Sequence, residues 1–161
     1  MPRRRRERHD HGACVRAAVA AARARCGARL TPLRRRVLEL IWTSHRPIGA
    51  YALLETLGRE RGGASPPTVY RALAFLTANG LAHRIATANA FVGCARPRAQ
   101  THASQFLLCA DCGQAVELSD RRIERAVAAE ARRQGFAVLS QSLEVRGRCP
   151  ACGGEERADA G

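Results

Sequence analysis

Apolar residues in the first half of the chain recur at the spacing of helix faces, and after residue 80 the period shortens to that of strands. Val15 to Cys26 reads as a first helix. Thr31-Pro32 then places a side-chain acceptor at an N-cap and a proline at the first helical position, and Leu33, Val37, Leu40 and Ile41 follow on one face. A third helix is expected from Ala50 to Leu57, started at Gly49, burying Leu53, Leu54 and Leu57 and leaving Tyr51 near its N-terminus. Gly58 and the Gly62-Gly63 pair should end it. Ser65-Pro66-Pro67 opens a fourth helix with an inward stripe of Val69, Ala72, Leu73 and Leu76, stopped by Asn79-Gly80.

Leu81 to Ile85 and Ala90 to Cys94, joined through Ala86-Thr87-Ala88-Asn89, read as a short hairpin. Three helices followed by such a hairpin make a winged helix-turn-helix. Ala95 to Gln100 contains Pro97 and no periodicity, and is expected to be a hinge. The remainder reads as strand (Gln105 to Cys109), strand (Ala115 to Leu118), helix (Asp120 to Gln134, capped by Ser119 or Asp120), a stop at Gly135, and strand (Phe136 to Arg148). The apolar face of this last helix is thin, with Ile123, Val127 and alanines, so metal and dimerisation are the expected ways to complete the core. The fold class is therefore α+β. We expect a basic arm (1–14), a winged-helix domain (15–94), a hinge (95–100), a small α/β dimerisation domain (101–152) and a tail (153–161).

A chain of 161 residues, 46% of them hydrophobic, can fill two small cores. Charge changes the picture more. The net charge is +13, every basic residue is Arg, and residues 1–85 hold 17 arginines against 5 acids (+12), whereas residues 86–161 hold 10 against 9 (+1). A basic half beside a neutral one suits a protein that faces a polyanion. The longest weakly polar stretch, Val15 to Ala24, is broken by Arg16 and Arg23, so neither a membrane span nor a signal peptide is expected. A cytoplasmic location is expected, and there seven cysteines argue for metal or redox chemistry rather than disulfides.

Cys109-Ala110-Asp111-Cys112 and Cys149-Pro150-Ala151-Cys152 form two Cys-x-x-Cys knuckles, each followed by glycine. Two thiolates at that spacing chelate one ion from a tight turn, and the second pair closes a tetrahedral sulfur shell suited to Zn2+. A redox dithiol pair or an iron–sulfur centre would use the same residues but gains no support elsewhere in the chain. The hairpin supplies further donors. If Ile85 pairs with Ala90, His83 falls opposite Val92 and Cys94 lies diagonally on the same face. His102 and Glu117 lie beyond the hinge, so His83, Cys94, His102 and Glu117 could make a second four-coordinate zinc shell. Other uses stay open: His83 as a strand cap, Cys94 as a small buried apolar residue, Glu117 as a surface carboxylate. His9, His11 and Cys14 could also bind metal, but are read as solvated arm residues.

Thr31-Pro32-Leu33-Arg34, Pro66 through Leu73, His83 through Cys94, Thr101-His102 and the two knuckles together resemble the ferric uptake regulator family, and within it the zinc uptake regulator branch. The resemblance runs from about Val15 to Cys152. It implies a homodimer, a four-cysteine structural zinc, and a regulatory zinc on His83, Cys94, His102 and Glu117, so two zinc ions per chain. Iron- and peroxide-sensing relatives carry a His-His-Asp-His-x-x-Cys run before the first knuckle. Here that stretch is Ala103-Ser104-Gln105-Phe106-Leu107-Leu108-Cys109, and Cys94 adds a soft donor that favours zinc.

The fourth helix then becomes the recognition helix. Arg71 is placed at a guanine in the major groove, Tyr51 at a base or the backbone, and Thr68 and Tyr70 at phosphates, with packing of Tyr70 against the wing as its alternative. The expected partners are palindromic double-stranded DNA and a second copy of the chain, with no membrane and no small-molecule substrate. A catalytic zinc needs an open coordination position, and the ligand count closes both shells, so an enzyme is not expected.

Overall fold

The computed structural model describes residues 11–43, 46–60, 63–95 and 104–153. Most of the expected arm, residues 96–100 of the expected hinge, His102 and nearly all of the tail lie outside these. Helix α1 (His11–Cys26) starts four residues earlier than its apolar pattern indicates, so residues 11–14 belong to the helix rather than to the arm. Helix α2 (Pro32–Ile41) starts as its sequence requires: the Thr31 hydroxyl accepts from the Arg34 amide and proline opens the first turn. It buries Val37, Leu38, Leu40 and Ile41.

A two-residue strand, β1 (Ile48–Gly49), precedes helix α3 (Ala50–Arg59) and is too short for any periodicity to announce. Helix α3 does not stop at Gly58. Arg59 bonds to Glu55 one turn back, and Glu60, which follows in extended conformation, pairs with Arg36 of α2 at 2.7 Å. Leu53 and Leu57 are buried, while Leu54 is only partly so. Helix α4 (Pro66–Ala78) buries Val69, Ala72, Leu73 and Leu76, the expected stripe. Together with α1–α3 it encloses the main core.

The wing is β2 (Ala82–Ile85) and β3 (Ala90–Gly93), antiparallel, with Ile85 opposite Ala90 and His83 opposite Val92. Strand β1 pairs on the other edge of β3. Gly93 is required by a close approach: a Cβ there would meet Cε2 of Trp42 at 2.2 Å, because the indole at the end of α2 lies on the strand.

The second sheet has the order β5-β4-β6. Strand β4 (Ser104–Cys109) pairs antiparallel with β5 (Ala115–Leu118) and parallel with β6 (Ser142–Gly147), with α5 (Arg121–Arg133) in the connection. A parallel pair needs such a crossover, which accounts for the long interval between the knuckles. Asp120 is the cap of α5, accepting from the Arg122 amide. The final strand is shorter than expected. Residues 136–141 lie outside it: β6 pairs residue for residue with the six described residues of β4, and the Ser104 amide donates to Gln141 O just ahead of the strand. None of α5 is buried.

Strand alternation gives this sheet two faces. Leu107, Val116 and Val145 form one row across it and stay exposed. The next row, Glu117, Phe106 and Glu144, turns to the wing. Phe106 is buried there with Ile85 and Val92 in a second apolar cluster that joins the two halves. Among the described residues no helix is long and apolar enough to cross a membrane.

Candidate metal centres and nucleic-acid face

Strands β4 and β6 run side by side in one direction, so the knuckles that follow them are brought together at the same end of the sheet. The sulfurs of Cys109, Cys112, Cys149 and Cys152 all lie within 4.8 Å of one another. Cys112 Sγ is 3.7 Å from Cys149 Sγ, close to the edge of about 3.8 Å that a tetrahedron with zinc–sulfur bonds of about 2.3 Å requires. Gly113, at φ +71, closes the first knuckle by donating its amide to Cys109 O. In the second, the amides of Cys152 and Gly153 turn back to Cys149 O.

The electrostatics of these thiols suit a cation. Backbone amides, that of Cys112 first and then those of Cys149 and Asp111, lower the Cys109 thiol to about 6. The Cys149 and Cys112 sulfurs, with Cys109 beside them, push Cys152 up to about 12. One thiolate is favoured and a further one resisted, the state of a crowded sulfur cage that a divalent ion would relieve.

The second group joins the wing to the second sheet. His83 in β2, Cys94 just past β3 and Glu117 in β5 place one donor atom each within 4.8 Å of the others. His83 Nε2 is 3.4 Å from Glu117 Oε1, and Cys94 Sγ is 3.9 Å from the same oxygen. The other oxygen, Oε2, accepts from the Ala95 amide at 2.8 Å, which aims Oε1 inward. His83 and Cys94 are buried. Nitrogen, sulfur and oxygen donors at this separation fit zinc. His102 lies outside the described residues.

Three contributors were not apparent in the sequence. Ser104 Oγ lies 2.9 Å from His83 Nδ1, an outer hydrogen bond of the kind that leaves Nε2 for a metal. Phe106 stacks edge-on to the His83 ring with centroids 5.4 Å apart. Glu144 grips the wing turn. Only the position of Glu144 in β6, opposite Phe106, could have flagged it, and that needs the register.

On the winged helix, burial of Val69, Ala72, Leu73 and Leu76 turns Thr68, Tyr70 and Arg71 of α4 to the surface. Tyr51, near the start of α3, is 82% exposed. The Thr68 hydroxyl is 2.8 Å from that of Ser65. Tyr70 is exposed and also borders a cleft shared with Ala82, Arg84 and Phe91 of the wing, so its two readings both keep a structural basis.

The model of the ferric uptake regulator family matches residues 25–146. The zinc uptake regulation protein of Escherichia coli strain K12 is 38% identical over 124 residues, spanning 77% of this chain and 72% of that protein. Among solved structures, a zinc uptake regulator complexed with zinc and DNA is 34% identical and superimposes with a TM-score of 0.77, covering 88% of this chain and 94% of that one. XcZur is 45% identical. Its holo form gives a TM-score of 0.76, covering 86% and 96% of the two chains, and its apo form gives 0.50, covering 89% and 97%.

Proposed function

The chain belongs to the ferric uptake regulator family, and from that premise we propose that it is a zinc-responsive repressor of zinc-uptake genes. It acts in the cytoplasm as a homodimer on a palindromic operator, as a regulator and not as an enzyme. The observation that carries this reading is the cluster of His83, Cys94 and Glu117, whose donors come from both sides of the hinge. Cys109, Cys112, Cys149 and Cys152 hold a structural zinc. A regulatory zinc takes His83, Cys94, Glu117 and, as the fourth ligand, His102, two residues before the Ser104 that hydrogen-bonds His83.

Bound zinc supplies a charge that holds imidazole, thiolate and carboxylate in one shell. The rest is done by the chain. His83 and Cys94 belong to the wing and Glu117 to the second sheet, so completing the shell requires the two halves to meet as they do here. The wing and α4 share one domain core, and fixing the wing against the second domain fixes the direction in which Arg71 and Thr68 point. In a dimer this sets the spacing of two recognition helices. The likeness to the holo form of XcZur and to the zinc and DNA complex supports this arrangement as the DNA-competent one. By linkage, zinc and operator must raise each other's affinity by the same factor. The exposed apolar row of Leu107, Val116 and Val145 is the face on which a second copy closes.

The test is a zinc titration of the protein with promoter DNA, read by fluorescence anisotropy, with manganese and iron as controls. Tight binding that appears only with zinc, at two zinc ions per chain, is the expected result. Operator affinity indifferent to zinc would overturn the reading.

A further inference from the structure

The wing turn is held by a group that belongs to neither metal cluster. Glu144, in the middle of β6, accepts from the Ala86 amide at 2.7 Å through Oε1, and through Oε2 from the Thr87 amide at 3.0 Å and the Thr87 hydroxyl at 2.5 Å. The partners are 57 and 58 residues apart in sequence and lie in different domains. Burial works against the charged carboxylate. The Thr87 hydroxyl and the two amides outweigh it and hold Glu144 below the usual carboxylate range.

The placement follows from the sheet. Glu117 and Glu144 are the two neighbours of Phe106 in one row, so a single face delivers one carboxylate to the metal cluster and another to the far end of the hairpin. Phe106 packs between them against His83, Ile85 and Val92. The hairpin is therefore gripped at both ends. The Glu144 end consists of charge-assisted hydrogen bonds, stronger than neutral ones, and requires no metal.

We propose that Glu144 is a positioning residue, a metal-independent latch on the wing turn that lowers the cost of closing the domains and so raises the zinc affinity of the His83–Cys94–Glu117 site without touching it. This rests on the zinc-responsive reading above. Closed and open arrangements are in equilibrium, and any contact found only in the closed one adds to the apparent affinity of every ligand that selects it. The latch sets the zinc concentration at which the repressor responds. It does not set the geometry of the metal shell.

Zinc affinity of the exchangeable site is measured by competition with a chromophoric chelator on the full-length dimer without DNA, alongside operator binding at saturating zinc. Glu144→Ala removes all three hydrogen bonds to the wing turn and should weaken zinc by about tenfold or more, the net scale of lost hydrogen bonding to a charged group, while the four-cysteine zinc stays bound. Operator affinity at saturating zinc should stay within about twofold of wild type, because bound zinc restores closure. Thr87→Val, which leaves the second domain untouched, should shift zinc affinity in the same direction by less. Its effect should vanish in the Glu144→Ala background. If Glu144 acted only as a negative charge near DNA, Glu144→Ala would instead tighten operator binding at every zinc level. Unchanged zinc affinity in both single variants, with wild type still responding to zinc, would overturn the latch and spare the functional reading. A wild type indifferent to zinc would overturn that reading itself.

Discussion

Glu117 and Glu144 flank Phe106 in one row across the second sheet, and both carboxylates end on the wing hairpin, at its base and at its turn. The adjacent row, Leu107 with Val116 and Val145, faces the other way and is apolar. One sheet thus separates its two faces by strand parity alone: one meets the winged-helix domain and the other leaves an exposed apolar row, the face proposed above for a second copy. A one-residue slip in β4 would exchange the two faces, so the register is a functional property of this domain.

The four-cysteine cluster lies where β4 and β6 end, in a domain whose helix α5 has no fully buried residue. Replacing Cys112 or Cys149 by Ser leaves an incomplete shell where β4 and β6 end. We expect loss of about one zinc per chain and of the stable dimer, since in such small units metal binding is part of the folding free energy. Sedimentation velocity with metal analysis checks this. A folded dimer with unchanged zinc would contradict it.

Much of this was legible in the sequence, and the reason differs by element. The wing register follows from turn length and alternation, which by themselves put His83 and Cys94 on one face of the hairpin. The knuckles were legible because Cys-x-x-Cys spacing is set by local turn geometry. Strand β1 and the true start of β6 were not, because both are decided by partner strands distant in sequence. Ser104, Phe106 and Glu144 carry no motif. A serine, a phenylalanine and a glutamate acquire roles only when the two domains meet.

Gly93 adjoins Cys94 and lies under the single tryptophan of the chain. Gly93→Ala forces the indole of Trp42 to move, because a methyl group cannot occupy space 2.2 Å from its ring. The expected cost is about 1 to 3 kcal/mol of stability from overpacking. The displacement should also reach Cys94 and weaken the exchangeable zinc. Since Trp42 is the only indole, its emission maximum reports the movement directly. Wild-type emission and wild-type zinc affinity together would show that the strand absorbs the methyl group without consequence.

Arg71 is exposed on α4, whereas the general positive charge is spread over residues 1–85. Arg71→Ala should therefore cost about 1 to 3 kcal/mol on the operator and relax preference at one base position. Removing residues 1–8, which carry five arginines, should flatten the salt dependence of binding with little change in preference. Affinities on operator and random duplexes over a salt series separate the two effects. Equal losses on both duplexes for Arg71→Ala would refute its role in base reading.

Cys94 distinguishes sensing from folding. It is buried where β3 ends, belongs to a donor group separate from the four knuckle cysteines, and has its sulfur 3.9 Å from Glu117 Oε1. Cys94→Ser keeps the size of the side chain nearly constant and removes the soft donor that favours zinc over harder competitors. The variant should remain a folded dimer and retain the four-cysteine zinc. It should lose the exchangeable zinc, and with it the zinc response of operator binding, a coupling of roughly 5- to 150-fold. Here it differs from Glu144→Ala, which shifts the zinc midpoint and leaves the response intact at saturation. His102→Ala should behave like Cys94→Ser, and the double variant should be no worse than either single one, because both substitutions disable the same shell. Metal content by mass spectrometry and anisotropy with and without zinc measure every term. Should Cys94→Ser still bind the operator only with zinc, regulation would have to run through the knuckles, and the domain-spanning cluster would lose its assigned part.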